Sequence, residues 1–248
     1  MKKLSLVGPV ILIMIWSIVS LLGIVDTFFL PSPWVTLNEL WSLLYQKNIF
    51  VDIYTSLYRV AFSFIFSAFL GIVFGMILGS SEKLYRSVEF LIDFFRGMAA
   101  QALIPLFMLI FGIGDVTKIS VATFTATIVV IFNVAYGIMH TKKTRRLAAK
   151  IMGATKMQIF KNIILWESLP QTFVGLRVSL SWIMAVVIAS EMFIGSTAGL
   201  GYKIVDFQIT YNIPAVYATI LIVGFMGYFL NLIFVNIERR FLHWSLRV

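Results

Sequence analysis

Crossing a bilayer as a helix takes roughly 20 predominantly apolar residues, and this chain supplies six such runs, at about 7–25, 56–80, 99–113, 119–139, 169–195 and 215–237. A chain so constructed satisfies its backbone within helices, because hydrocarbon offers no alternative partner for N–H and C=O groups. The expectation is an all-α membrane protein with six transmembrane helices. The first run is long and no small-x-small cleavage pattern follows it, so it reads as a retained span and not a leader.

Composition narrows function by exclusion. Of 248 residues, 60% are hydrophobic and only 12% charged, far from a soluble globular balance. No cysteine occurs, which excludes disulfides, thiolate zinc sites and a cysteine nucleophile. The two histidines, His140 and His243, are too few for a histidine-rich metal site, and no metal ligand set is expected. The net charge of +9 reads as basic loops that favour the cytoplasmic side of a membrane and not as a nucleic-acid surface. With both termini inside, Lys2, Lys3, Lys83, Arg86, the basic residues of 141–170, Arg239, Arg240 and Arg247 fall in the cytoplasm. Lys47, Lys118 and Lys203 then fall in outside loops.

Local signals refine the spans. The third is only about 22 Å long as a helix and follows an amphipathic stretch, Ser87 to Arg96, that ends at Gly97. A helix broken at Gly97 and distorted by Pro105 is expected; a tilted span with an interfacial start is the alternative. Gly71, Gly75 and Gly79 repeat a small-xxx-small pattern that permits close helix approach. Ser32 and Pro33 suit the cap and first position of a helix whose Trp34, Leu37, Leu40, Trp41 and Leu44 would lie on the outer membrane surface.

The segment 141–170 carries seven Lys and Arg residues with no acid before Glu167. Thr144 is placed to cap a short helix through Ile151. Gly153 can take a left-handed turn at little cost. Thr155 and Gln158 match a capping box opening a second helix, with Met157, Phe160, Ile163 and Ile164 on its apolar side. Charge alone would satisfy topology, so the folded elbow needs another reason; a lipid-facing helix and a helix docked in a partner's groove are equally open on these residues.

Further residues favour the second. Ala148, Ala149 and Gly153, with Pro170 beyond, look like the cytoplasmic loop of permease subunits of binding-protein-dependent ABC importers. Leu30-Pro31-Ser32-Pro33, Ala102-Leu103-Ile104-Pro105-Leu106, Phe111-Gly112-Ile113-Gly114 and above all the block 175–204, GLRVSLSWIMAVVIASEMFIGSTAGLGYKI, resemble the sulfonate, taurine and nitrate branch. The pattern differs at Leu147 where an acid is usual, at Trp166 where proline is common, and at Gly97-Met98-Ala99-Ala100 in place of a proline turn.

The resemblance implies a single permease domain over 1–248 of type I importer architecture, with a cytoplasmic coupling loop at 141–169. It implies an ATPase-contacting surface of Ala149, Gly153, Ala154, Thr155, Lys156, Met157 and Phe160, a second permease copy or homologue, and an extracytoplasmic solute-binding protein. No phosphate loop and no Gly-Lys dipeptide occurs, so no catalytic residue or cofactor is assigned here and ATP belongs to the partner. Glu191, an acid within a predicted span, is the leading pathway or gate residue, about 31 Å along its helix from Pro170. Gln101, Asn133 and Trp182 are further pathway candidates, each with a packing alternative, while Arg177 is expected to extend to the cytoplasmic interface. The segment 195–211 reads as an outer loop that meets the binding protein or lids the bundle. An ion-coupled carrier would need midplane ionisable groups and repeated halves. An intramembrane enzyme would need a clustered nucleophile and base.

Overall fold

The computed structural model describes residues 7–45, 48–195 and 197–242, with the side chain of Asn48 also excluded. His243 and the basic residues Lys2, Lys3, Lys47 and Arg247 lie outside the described residues. Within them every regular element is helical. In chain order these are α1 (Val7–Leu21), α2 (Pro33–Tyr45), α3 (Asn48–Gly79), α4 (Glu82–Gly97), α5 (Ile104–Phe111), α6 (Asp115–Met139), α7 (Lys143–Ile151), α8 (Lys156–Ile159), α9 (Leu165–Phe193), α10 (Leu200–Ile209) and α11 (Ile213–Phe241).

Helix α6 is the axis of the bundle, packed between α3 and α9. Its side chains explain the position, for Val121, Ala122, Ala126, Val130, Val134 and Ala135 are small or β-branched and almost wholly buried. The glycine stripe of α3 faces this helix. A Cβ on Gly71 would lie 2.4 Å from Val130 Cβ, one on Gly75 2.6 Å from Val134 Cβ, and one on Gly79 2.9 Å from the Ala135 Cα. Small residues let the backbones meet, so dispersion contacts form without a hydrophobic gradient to drive them. Gly137 and Gly175 perform the same service between α6 and α9, against Gln171 and Asn133.

Among the described residues, four helices are long and apolar enough to span: Ile49–Gly79, Asp115–Met139, Lys156–Phe193 and Ile213–Phe241. A fifth crossing exists if α4 and the following 100–111 segment are one span, bent by 96°. The break falls at Gly97 as expected, but Pro105 does not distort a helix. After an extended Met98 and Ala99 and a 3-10 turn over Ala100–Leu103, Pro105 stands in the first turn of α5, where its missing N–H costs nothing.

The first apolar run also differs from expectation. Its helix stops at Leu21, with Gly23 at φ +64°, leaving 15 residues and about 22 Å. It is fastened near that end: Trp16 Nε1 donates to the Pro31 carbonyl at 3.0 Å, and the Trp16 ring stacks on Tyr217 of α11 at 6.0 Å. Helix α2 starts at Pro33, with Ser32 Oγ accepting from Val35 N at 3.4 Å. Part of the face expected on the membrane surface packs inward instead. Thr36 and Leu43 are buried and Leu40 and Leu44 join the core beside α10 and α11, leaving Trp34, Leu37 and Trp41 exposed.

Candidate functional site

The elbow between α6 and α9 is built from two complementary stop and start signals. Helix α7 ends in a Schellman arrangement: Gly153 N donates to the Lys150 carbonyl at 3.1 Å and Ala154 N to the Ala149 carbonyl at 3.0 Å, with Gly153 at φ +82°. Glycine takes this left-handed position without the Cβ penalty. The capping box follows at once. Gln158 N donates to Thr155 Oγ1 at 3.3 Å, and Thr155 N donates to Gln158 Oε1 at 2.8 Å. From Lys156 the chain is helical without interruption to Phe193, passing through one π-helical turn at Phe160–Ile164. The second arm of the elbow is therefore continuous with a membrane helix.

Thr144 does not cap α7. The helix begins one residue earlier, at Lys143, with Lys142 as its cap residue, and its acid comes from across the elbow: Glu167 Oε2 accepts from Lys142 N at 3.0 Å while Glu167 Oε1 pairs with Arg145 at 2.6 Å. A carboxylate at the first turn favours the helix dipole, so Glu167 supplies what Leu147 lacks. Of the seven expected contact residues, Gly153, Thr155, Lys156 and Met157 are exposed, whereas Ala149, Ala154 and Phe160 are half-buried. The tip itself had been missed. Ile151 and Met152 are each 86% exposed at the turn of the elbow. Depressions of about 800 and 740 Å³ flank the tip, bordered respectively by Ala149, Met152 and Trp166 and by Leu147, Met157 and Phe160.

At the opposite end of the bundle, Glu191 is buried to 1% exposure. Both its oxygens accept from Ser56 Oγ at 2.8 Å. It accepts from Arg59 Nη1 at 2.6 Å and from Gly201 N at 2.9 Å. Arg59 bridges onward, donating from Nε (2.9 Å) and Nη2 (2.6 Å) to Asp115 Oδ1 and from Nη1 to the Ala198 carbonyl at 3.0 Å. Asp52 accepts from Gly199 N, and Ser56 Oγ from Leu200 N. The cluster thus clamps the start of α10 to α3, α6 and α9. Gly199 and Gly201 are required by proximity: an added Cβ would lie 2.6 Å from Glu191 Cδ in one and 2.3 Å from the Ile188 carbonyl oxygen in the other. With Leu200 and Ile204 buried, the segment 197–211 packs on the bundle as a lid.

Lys118, expected in an outside loop, is instead 1% exposed in the first turn of α6, within electrostatic range of Arg59, Asp115 and Glu191. Arg59 was not singled out from sequence, although a lone arginine inside a strongly apolar run was the available signal. Arg177, exposed, donates from Nε to Asn231 Oδ1 on α11 at 3.0 Å.

The remaining pathway candidates separate. Asn133 and Trp182 border one pocket of about 260 Å³. Asn133 Nδ2 donates within α6 to the Val129 carbonyl at 2.8 Å, and its Oδ1 accepts across to α9 from Gln171 Nε2 at 2.9 Å. Gln101 is exposed on the 3-10 turn and does not border that pocket.

A bundle of apolar spans with a basic folded elbow at one end and a buried charged clamp at the other defines a multi-pass membrane transport protein. Comparison with known families makes the class specific. The chain belongs to the binding-protein-dependent transport system inner membrane components, which it matches over residues 71–243. It is 30% identical to a probable ABC transporter permease of Brucella abortus (strain 2308), over 94% of this chain and 91% of the relative. It is also 30% identical to the putative aliphatic sulfonates transport permease SsuC of Bacillus subtilis (strain 168), over 98% and 87%, and 25% identical to the taurine transport system permease TauC of Escherichia coli (strain K12), over 97% and 89%. In fold it resembles a chain of the MetNI methionine ABC transporter in an inward-facing conformation, with TM-score 0.64 and 22% identity over 85% of this chain and 97% of that one. The family membership places the protein in the cell membrane as a transport subunit and displaces the ion-coupled carrier and intramembrane enzyme readings.

Proposed function

We propose that the chain is the translocating subunit of an importer for a small oxyanionic solute, driven through its elbow by a separate ATP-binding subunit. The observation that carries this is the exposed apolar tip, Ile151 and Met152, on an elbow continuous with a membrane helix. A rigid arm transmits displacement: when the partner's groove moves, α8 and α9 move as one piece. The whole of 1–248 then works as one permease domain with 141–169 as its coupling loop. Six crossings result when α1 and the bent α4–α5 pair are each counted. Cytoplasmic termini are supported by charge, since Lys83, Arg86, the elbow basics, Arg239 and Arg240 share one end while Lys118 and Lys203 stand at the other.

The chain works beside a second permease, itself or a homologue, and receives solute from an extracytoplasmic binding protein that meets the lid. ATP is bound by the partner and no cofactor by this chain. The solute class rests on relatives named for sulfonates, taurine, nitrate and bicarbonate. Asn133 and Trp182 border its route, with Gln101, exposed on the 3-10 turn, as a further pathway residue. Glu191 gates the outer end by releasing or fastening the lid. Affinity purification of the tagged chain from its own cells tests the reading: an ATP-hydrolysing subunit should co-purify, with hydrolysis absent from the isolated chain. A chain purified from native membranes with no ATP-binding partner would refute it.

A further inference from the structure

We infer that the pocket between α4, α6 and α9 is an anion-binding subsite on the translocation route, with Arg96 as the group that selects charge. The inference rests on the importer reading and names the residue that would recognise its solute class. Helix α4 lies along α6, burying Tyr85 and Ile92 against Ile128 and Ala135, and stops where Gly97 and the extended Met98 turn the chain. That turn leaves the Arg96 guanidinium 4.1 Å from the centroid of the Phe132 ring, on the border of the 260 Å³ pocket. Phe132 is seven residues from the elbow end of α6, so the charge stands about 10 Å inside that helix end.

An arginine at such depth is costly, and an ionisable group there marks a candidate functional site. The ring face offsets part of that cost and fixes the guanidinium plane. The carboxylate beside it, Asp93, is 3.4 Å away at Oδ1 with its side chain half exposed, looser than a charge-assisted bond of about 2.8 Å. An oxyanion entering the pocket can present two acceptors to the guanidinium fork and displace this weak partner. Asn133 completes the polar side. Its amide is oriented by Val129 and Gln171, and a primary amide carries a second N–H beyond the one given to Val129. Val129, Val178 and Trp182 supply an apolar wall for a short carbon chain. The volume equals that of roughly nine liquid waters, which suits a solute of sulfonate size, and a cation would meet Arg96 directly.

The test uses the intact transporter, purified with its ATP-binding subunit and placed in lipid nanodiscs, titrated with methanesulfonate and, as a cationic comparator, methylammonium. The readout is the tryptophan emission change lost on Trp182→Phe. Methanesulfonate should give a saturable change and methylammonium none. Arg96→Gln should weaken the apparent affinity about tenfold or more, as expected for a lost charge-assisted bond, and Arg96→Lys should lie between. Asp93→Asn should tighten it roughly threefold by removing a competitor worth no more than a surface pair, an effect opposite to that of damaged packing. Equal responses to both ions, or affinity unaltered by Arg96→Gln and Asp93→Asn, would overturn the inference. If Arg96→Gln fails to assemble, Asp93→Asn decides alone. Absence of the ATP-binding subunit from the purified material would instead overturn the importer reading.

Discussion

Gly153 and Glu191 are sensitive for different physical reasons. No atom lies within 4 Å of a Cβ added to Gly153, so substitution there meets no clash, yet φ +82° burdens a β-branched residue with about 1–3 kcal/mol of backbone strain. Gly153→Val should therefore reorient the elbow and abolish solute uptake while leaving membrane insertion and expression near wild type; uptake assays beside membrane fractionation check this, and normal uptake counts against a coupling role. Glu191 is tied instead by four hydrogen-bond contacts to α3 and the first turn of α10. Glu191→Gln removes one of the two carboxylates that pair Arg59 and leaves Asp115 in place, so the cost should fall below the roughly 3–5 kcal/mol of a buried charge left unpaired. A lower unfolding temperature in detergent and increased protease cleavage in the lid are expected, and a melting curve superimposable on wild type would contradict the clamp. Glu167→Ala should free the start of α7, seen as faster amide exchange at Lys142 and the following residues. The exposed Arg145 pair adds little to overall stability.

Among the elements, α3, α6, α9 and α11 were legible because hydrophobic length is a local property that survives without knowledge of partners. The capping box was legible for the same reason, since Thr155 and Gln158 are three residues apart. The clamp was not, because Arg59 and Glu191 are 132 positions apart and neither announces the other. The cap of α7 was misread at Thr144 for a related cause: its carboxylate comes from Glu167, 25 residues on. Pro105 was read as a distortion when the chain uses it to begin α5. Close packing of α3 on α6 gives a sharp test. Gly75→Ala should destabilise the bundle by about 1–3 kcal/mol through overpacking against Val134, whereas Gly224→Ala inside α11, with nothing within 4 Å, should be neutral to mildly stabilising through helix propensity. Thermal unfolding of the two variants side by side separates them, and equal stability would place α3 farther from α6.

At the scale of the whole molecule, the proposed function gives the two ends opposite tasks. The end bearing the lid is closed by buried hydrogen-bonded charges, and the elbow end presents apolar side chains on a helical arm. Such an arrangement couples a solvent-facing displacement to a membrane helix without requiring any flexible joint between Lys156 and Phe193. What the sequence alone left open was whether the elbow met lipid or protein, because amphipathic helices serve both. The chain's lack of cysteine makes the decisive measurement clean. A single cysteine introduced as Met152→Cys, in the transporter assembled in its native membrane, should form a thiol-directed cross-link to an ATP-binding subunit and lose it on Gly153→Val. Modification by a membrane-embedded lipid probe, with no cross-link to any ATP-binding protein, would contradict the account.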